Sequence, residues 1–129
     1  MPRASAITMA KLMIVDDDHT MVSLLATLLE LDGFEVFPKT QPGDLVQNLR
    51  QDQPDLVIMD VFLSNGDGIE LLRNVRSTSE FRHLPVIMTS GMDVGDQCLE
   101  AGANGFILKP YSPPDLIDMI RENLLGERG

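Results

Sequence analysis

The sequence predicts an α/β fold in which a doubly wound, five-stranded parallel sheet is covered by five helices. Three observations support this prediction. Short apolar runs alternate with segments whose apolar residues recur at helical spacing. Glycine and proline separate many of these segments. Two of the runs, at residues 12–15 and 54–59, end on aspartates, so polar groups are expected to meet at one edge of the sheet.

The first third of the chain predicts a strand, a helix and a second strand. Residues 11–15 are apolar enough to be buried on both faces of a sheet. Residues 18–32 predict a helix that ends at Gly33. Its apolar residues at helical spacing are Met21, Leu24, Leu25, Leu28 and Leu31. Residues 34–37 alternate apolar and polar side chains, which is typical of a half-exposed edge strand.

The middle of the chain continues this alternation. Pro42-Gly43 is expected to open a short helix whose inward residues are Leu45, Val46 and Leu49. Residues 55–59 predict the third strand. Residues 64–68 read Ser-Asn-Gly-Asp-Gly, which is turn chemistry. A third helix follows with an apolar face made of Ile69, Leu72 and Val75.

The last third predicts two more strands and two more helices. The strands are expected at residues 86–89 and 106–108, with a short helix at about 94–101 between them. Ser112 is expected to cap the final helix, and Pro113 to be its first residue. The apolar face of that helix consists of Leu116, Ile117, Ile120 and Leu124.

Length and composition limit the function classes. A chain of 129 residues fits one domain, which we place at residues 10–125 with flexible ends at 1–9 and 126–129. A net charge of −10 argues against direct binding of nucleic acid. The single cysteine excludes an internal disulfide, and neither a membrane span nor a signal peptide is apparent. We therefore expect a cytoplasmic protein without membrane contact.

Five polar residues follow predicted strands and suggest a shared site. Asp16 and Asp17 follow the first strand, Asp60 the third, Ser90 the fourth and Lys109 the fifth. Clustered carboxylates repel one another and need a cation to stay ionised. A small oxygen-seeking metal fits that requirement. The pattern predicts a magnesium-assisted site in which a carboxylate accepts a phosphoryl group, and Ser90 and Lys109 help to neutralise it.

These segments, taken in order, resemble the receiver domain of bacterial two-component response regulators. The resemblance extends over about residues 10–125 and implies a flavodoxin-like fold with strand order 2-1-3-4-5. The matching fragments are Val15-Asp16-Asp17, residues 54–60, Asp67-Gly68, residues 85–91, Ala101-Gly102-Ala103 and residues 105–110.

The resemblance implies a role for each acidic residue. Asp60 corresponds to the residue that is phosphorylated. Asp17 corresponds to a direct ligand of Mg²⁺, and Asp16 to a residue that holds a metal-bound water. The backbone carbonyl of Phe62 is expected to complete the protein ligands of the metal, together with Asp60.

The same resemblance implies a switch on the neighbouring strands. Ser90 and Lys109 correspond to the contacts of the phosphoryl group, and Ser90 also to the switch hydroxyl. Phe106 corresponds to an aromatic residue that changes rotamer on activation, although ordinary edge-strand packing would also explain it. The bond between Lys109 and Pro110 is expected to be cis.

The sequence departs from the family pattern in three places. Ser64 stands where proline is usual and Gly66 where a large apolar residue is usual, so we expect this loop to be more mobile. Ser90 replaces the commoner threonine. The stretch from Ser90 to Lys109 is about one helical turn shorter than in the chemotaxis regulator, which changes the region of the fourth helix.

The resemblance implies a signalling function. The chain is expected to take a phosphoryl group from a histidine kinase or a histidine phosphotransfer protein, and then to change its surface toward an output partner or a second copy. It would catalyse only its own phosphorylation and slow dephosphorylation. The alternative is an interaction module that works without phosphate. A phosphatase acting on small substrates is disfavoured, because such enzymes carry an aspartate where this chain has Phe62.

Overall fold

The computed structural model describes residues 10–41, 43–64 and 66–125, so the predicted flexible ends lie outside the described residues. In chain order the elements are β1 (Lys11–Val15), α1 (His19–Leu31), β2 (Glu35–Lys39), α2 (Leu45–Asp52), β3 (Leu56–Asp60), β4 (Phe62–Leu63), β5 (Gly66–Asp67), α3 (Gly68–Ser77), a 3₁₀ turn (Ser79–Phe81), β6 (Val86–Ser90), α4 (Gly95–Glu100), β7 (Gly105–Leu108) and α5 (Pro113–Leu125).

The main sheet has five parallel strands in the order β2-β1-β3-β6-β7. Leaving out the small sheet formed by β4 and β5, this is the predicted order 2-1-3-4-5. The central strands are in register, with Ile14 beside Ile58 and Ile58 beside Ile87. The carboxyl ends of β1, β3, β6 and β7 therefore lie side by side, which confirms the predicted fold class.

Alternate residues of the strands fill two separate cores, because successive side chains point to opposite faces of a sheet. Leu12, Ile14 and Ile58 belong to the core on the side of α1 and α5. Met13 and Met59 belong to the core on the side of α2, α3 and α4. Burial on both faces explains why these strands are continuous apolar runs.

Four helices begin at a side-chain cap. Asp18, Asp44 and Asp67 each accept a hydrogen bond from a backbone N–H in the first turn of α1, α2 and α3. Ser112 accepts one from Asp115 N at 3.3 Å at the start of α5, as predicted. These caps satisfy amide groups that a helix cannot bond internally. Among the described residues, no helix is both long and apolar enough to cross a membrane.

The prediction for α1 is right in extent, and its apolar residues at helical spacing lie only partly in the core. Val22, Leu25 and Leu29 are the buried residues. Leu24 and Leu31 are 62% and 80% exposed. Leucine occurs on more than one face of this helix, so helical spacing did not separate the buried Leu25 from the exposed Leu24 and Leu31.

Two further boundaries differ from the predictions. β2 runs from Glu35 to Lys39, because its residues pair in register with the whole length of β1. The segment predicted as a simple turn after Leu63 forms an antiparallel hairpin, in which Phe62 pairs with Asp67 and Leu63 with Gly66. Short hairpins of this kind are closed by the same turn residues that the sequence shows, so the composition did not distinguish the two structures.

Candidate functional site

The ends of β1 and β3 bring three carboxylates together. Asp16, Asp17 and Asp60 each offer one oxygen, and these three oxygens lie within 4.8 Å of one another. Asp16 is only 2% exposed, and the side chain of Asp60 is 12% exposed. Like charges at this separation, shielded from water, favour binding of a cation.

Lys109 supplies a cation from the end of β7. Its Nζ lies 3.0 Å from Asp16 Oδ2 and 3.5 Å from Asp60 Oδ2. Its backbone N–H donates to the carbonyl of Ser90 at 2.8 Å, and the bond to Pro110 is cis, as predicted. Burial opposes the charged form of Lys109, but the hydrogen bonds and charges of the two aspartates outweigh burial and raise the pKa of the ammonium group.

Asp16 is fully engaged, whereas Asp17 is the more accessible carboxylate. Asp16 Oδ1 accepts a hydrogen bond from Asp18 N at 3.0 Å, and Asp16 Oδ2 accepts the one from Lys109. Asp17 is half-buried, and its Oδ2 accepts a hydrogen bond from Ser64 N at 2.7 Å. The hydroxyl and backbone N–H of Ser64 hold the pKa of Asp17 below its ordinary value of 3.8.

The pKa of Asp60 shifts in the opposite direction to that of Asp17. Burial raises the pKa of its carboxyl above the ordinary value of 3.8, and the charge of Asp16 adds to this effect. The charge of Lys109 and a hydrogen bond from the backbone of Phe62 oppose it. Burial and the neighbouring charge of Asp16 thus outweigh the compensation that Lys109 gives to the negative charge of Asp60.

Ser90 is the last residue of β6, at the same edge of the sheet, and its hydroxyl bonds within the loop that follows. It is fully buried, and its Oγ accepts a hydrogen bond from Met92 N at 3.0 Å. Phe106 lies on β7 beside the first residue of α4, where a Cβ built on Gly95 would be 3.1 Å from the ring. The structure thus brings together Asp16, Asp17, Asp60 and Lys109, and places Ser90 and Phe106 on the two adjoining strands.

The loop after Asp60 packs closely against its backbone. Phe62, the predicted carbonyl ligand, starts the hairpin and its side chain is 54% exposed. A Cβ built on Gly68 would lie 2.3 Å from the carbonyl oxygen of Asp60, so only glycine fits at this position. Nothing in the sequence indicates a structural role for Ser64 or Gly95, whereas the Asp67-Gly68 pair marks the position of Gly68.

An apolar groove of about 550 Å³ adjoins the acid cluster. Its walls come from one face of α1 and from the chain between β7 and α5, including Lys109 itself. The other lining residues are Met21, Leu24, Leu25, Leu28, Pro110, Tyr111 and Pro113. Four of the five apolar residues that the sequence shows at helical spacing in α1 thus line this groove.

The donor set fits a small, hard divalent cation. Carboxylate and carbonyl oxygens are the ligands that Mg²⁺ prefers, and it commonly uses one or two carboxylates with several waters. Asp17 and Asp60 would be the direct ligands, because both oxygens of Asp16 already accept hydrogen bonds, one from Asp18 N and one from Lys109. The carbonyl of Phe62, two residues after Asp60 in the chain, would be a third ligand.

Comparison with known proteins identifies relatives of the same fold. A putative response regulator from Chloroflexus aurantiacus J-10-fl has a TM-score of 0.85 and 32% identity, with 92% of this chain and 99% of that chain covered. A signal receiver domain of a histidine kinase from Syntrophus aciditrophicus has a TM-score of 0.80 and 29% identity, covering 90% and 89%. The chemotaxis response regulator CheY4 of Vibrio cholerae shares the fold at a TM-score of 0.82 and 24% identity, covering 91% and 99%.

The sequence itself matches a family over most of its length. Residues 12–121 match the response regulator receiver domain. Members of that family are two-component signalling modules that are generally not enzymes, and they generally bind Mg²⁺ at an acidic pocket. The acid cluster beside Lys109, the parallel sheet and the matched residues agree: this chain belongs to the response regulator receiver domain family.

Proposed function

We propose that Asp60 accepts a phosphoryl group from a histidine kinase or a histidine phosphotransfer protein. The observation that carries this proposal is the juxtaposition of the three aspartate oxygens within 4.8 Å with the Lys109 ammonium 3.5 Å from Asp60. A carboxylate surrounded in this way can attack phosphorus while a neighbouring cation neutralises the transferred group.

The transfer exchanges one bond to phosphorus for another. A carboxylate oxygen of Asp60 bonds to phosphorus as the bond to the donor imidazole breaks, and the imidazole nitrogen keeps the electron pair. Mg²⁺, held by Asp17, Asp60, the carbonyl of Phe62 and a water on Asp16, would supply charge to the phosphoryl oxygens. Lys109 supplies a second positive charge, and the hydroxyl of Ser90 a hydrogen bond.

The switch is proposed to follow from competition for Ser90 and Lys109. Both already have partners, since Ser90 Oγ accepts from Met92 N and Lys109 binds Asp16. A phosphoryl group on Asp60 would offer these two residues a stronger acceptor. The loop after β6 and the strand that carries Phe106 would then rearrange, which changes the surface offered to an output partner or a second copy.

The phosphoryl donor is proposed to dock on the apolar groove between α1 and the start of α5. The groove shares Lys109 with the acid cluster, so a protein seated there lies next to Asp60. Leu24 and Met21 on its wall are positioned to contact an apolar helix of the donor.

We further propose that residues 10–125 act as one cytoplasmic domain. This domain would catalyse only its own phosphorylation and dephosphorylation, and would act on no other substrate.

The test is intact-mass spectrometry after incubation with Mg²⁺ and a small phosphodonor such as acetyl phosphate. The wild type should gain one phosphate, and Asp60→Asn none. Asp93→Asn is the control, since Asp93 is an exposed acid outside the cluster, and it should behave as the wild type. Phosphorylation of Asp60→Asn to the wild-type level would refute the assignment. A wild type that never gains phosphate would favour the phosphate-independent module.

A further inference from the structure

The loop after Asp60 is joined to the end of β1 by one short hydrogen bond. Ser64 N donates to Asp17 Oδ2 at 2.7 Å, across 47 residues of sequence. The donor lies in the hairpin formed by β4 and β5, and the acceptor belongs to the acid cluster. A hydrogen bond to an ionised carboxylate is about twice as strong as one between neutral groups.

Asp17 depends on this bond more than the other two aspartates do. Asp16 and Asp60 both lie within 3.5 Å of the Lys109 ammonium, whereas the hydrogen bond to Asp17 comes from Ser64 N. Ser64 N is thus the donor that holds the Asp17 carboxylate, while Lys109 contacts the other two aspartates.

From these contacts we propose that Ser64 is a positioning residue for the divalent cation, acting through the Asp17 carboxylate. The inference rests on the proposed function, because it assumes that Asp17 and Phe62 are metal ligands. A carboxylate has about four acceptor positions, so a bond from Ser64 fixes its orientation and leaves room for a metal. The same bond fixes the backbone between Phe62 and Ser64, which carries the third expected ligand.

The chain supplies this bond because residue 64 has an N–H. Proline at this position could not donate it. Residues that orient a metal ligand typically change the affinity for the metal by about ten- to a hundredfold when they are removed. We therefore expect Ser64 to strengthen Mg²⁺ binding rather than to compete with it.

Three variants separate the backbone N–H from the hydroxyl. Ser64→Ala keeps the N–H and loses the hydroxyl, whereas Ser64→Pro loses both. An ester-linked analogue of Ser64→Ala, with lactic acid at position 64, loses the N–H without the ring of proline. Calorimetric titration with Mg²⁺ should give affinity in the order wild type, Ser64→Ala, and then the two variants without the N–H, which should be at least about tenfold weaker than wild type.

The metal-free protein offers an independent measurement. The Ser64 amide should exchange slowly with solvent in the wild type and rapidly in Asp17→Ala, because the acceptor is then missing. Affinity for Mg²⁺ that is equal or higher in both variants without the N–H would overturn the proposal. If the wild type binds no Mg²⁺, or binds it equally well without the Asp17 carboxylate, the metal site of the proposed function fails as well.

Discussion

The two halves of the site differ in how firmly their groups are held. The acid half, at the ends of β1 and β3, is tied to a distant segment, because Asp17 accepts a hydrogen bond from Ser64 N across 47 residues of sequence. The switch half, at the ends of β6 and β7, has a local bond and a shared one. Ser90 bonds to Met92 N in its own loop, and Lys109 is shared by two carboxylates.

Two glycines show the same contrast. A Cβ on Gly68 would meet backbone atoms of Asp60 and Val61 at 2.3 to 3.0 Å, which cannot move without displacing β3. A Cβ on Gly95 would meet the ring of Phe106 at 3.1 Å, and a side chain can rotate away. The acid half is thus built to hold a fixed geometry, and the switch half to change between two arrangements.

The largest effect is expected for Gly68→Ala. The added methyl group overlaps the carbonyl of Asp60, so we expect a loss of about 3 kcal/mol in the free energy of unfolding, despite the better helix propensity of alanine. Urea denaturation measures it. Gly66→Ala is the matched control, because nothing lies within 4 Å of a Cβ there. Equal stability of the two variants would show that β3 yields, and the proposed rigidity of the acid half would be wrong.

The next largest effect concerns the lifetime of the phosphorylated state. Both halves of the site contribute one side chain that affects this lifetime. Phe62 and Met92 are 54% and 61% exposed on the loops after β3 and β6, and neither can orient a water by hydrogen bonding. Phe62→Asn and Met92→Glu should each speed dephosphorylation by roughly ten- to hundredfold, as a contact worth ~1–3 kcal/mol of barrier is gained.

A dephosphorylation time course in Mg²⁺ tests this, with Leu99→Asn as an exposed control on α4. The two single variants show which half limits the approach of water. If the double variant keeps its phosphate as long as the wild type, the two side chains do not shield the acyl phosphate.

A smaller effect is expected for Gly95→Ala. The Phe106 ring should rotate to relieve the contact, at a cost below about 1 kcal/mol in stability. Fluorine NMR of protein labelled with fluorophenylalanine should show one of five signals displaced. Gly91→Ala should leave the spectrum unchanged, because no atom lies within 4 Å of a Cβ at that position. Superimposable spectra of the two variants would mean that Gly95 does not set the ring position.

The smallest effect is the dependence of stability on pH, to which Asp60 and Asp17 contribute with opposite signs. The folded pKa of Asp60 is raised, so its contribution to stability is present below pH 3.8 and is lost as the pH rises through the folded pKa. The folded pKa of Asp17 is lowered, so its contribution is present above pH 3.8 and is lost as the pH falls through the folded pKa.

Carbon NMR titration of the metal-free protein should therefore place the midpoint of Asp17 below 3.8 and that of Asp60 above it. Melting temperatures give a second readout. Asp60→Asn should melt higher than the wild type near neutral pH in EDTA, and this advantage should vanish in acid. A reversed order of the two midpoints would contradict the burial of Asp60 and the contact between Ser64 and Asp17.

The sequence predicted the sheet well because its strands are buried on both faces. Continuous apolar runs such as residues 12–15 have few alternative structures, and their carboxyl ends had to meet at one edge. The juxtaposition of Asp16, Asp17 and Asp60 followed from that topology. The buried face of α1 was not predictable from spacing, because leucines occur on more than one side of the helix.

The supporting contacts of the site could not be read from the sequence. The bond from Ser64 to Asp17 depends on how a hairpin and a distant strand pack together, and neither residue type indicates it. The departures of Ser64 and Gly66 from the family pattern predicted a more mobile loop, and they gave no sign of the bond to Asp17 or of the strand pairing. Gly95 likewise became informative only once the position of the Phe106 ring was known.

Chemical trapping identifies the residue that carries the phosphoryl group, and our claim is that this residue is Asp60. Borohydride reduces an acyl phosphate to an alcohol and releases phosphate, which converts the phosphorylated aspartate to homoserine. After phosphorylation in Mg²⁺ and reduction, peptide mass spectrometry should find homoserine at position 60. Homoserine at Asp16, Asp17 or another aspartate, with Asp60 intact, would contradict the claim.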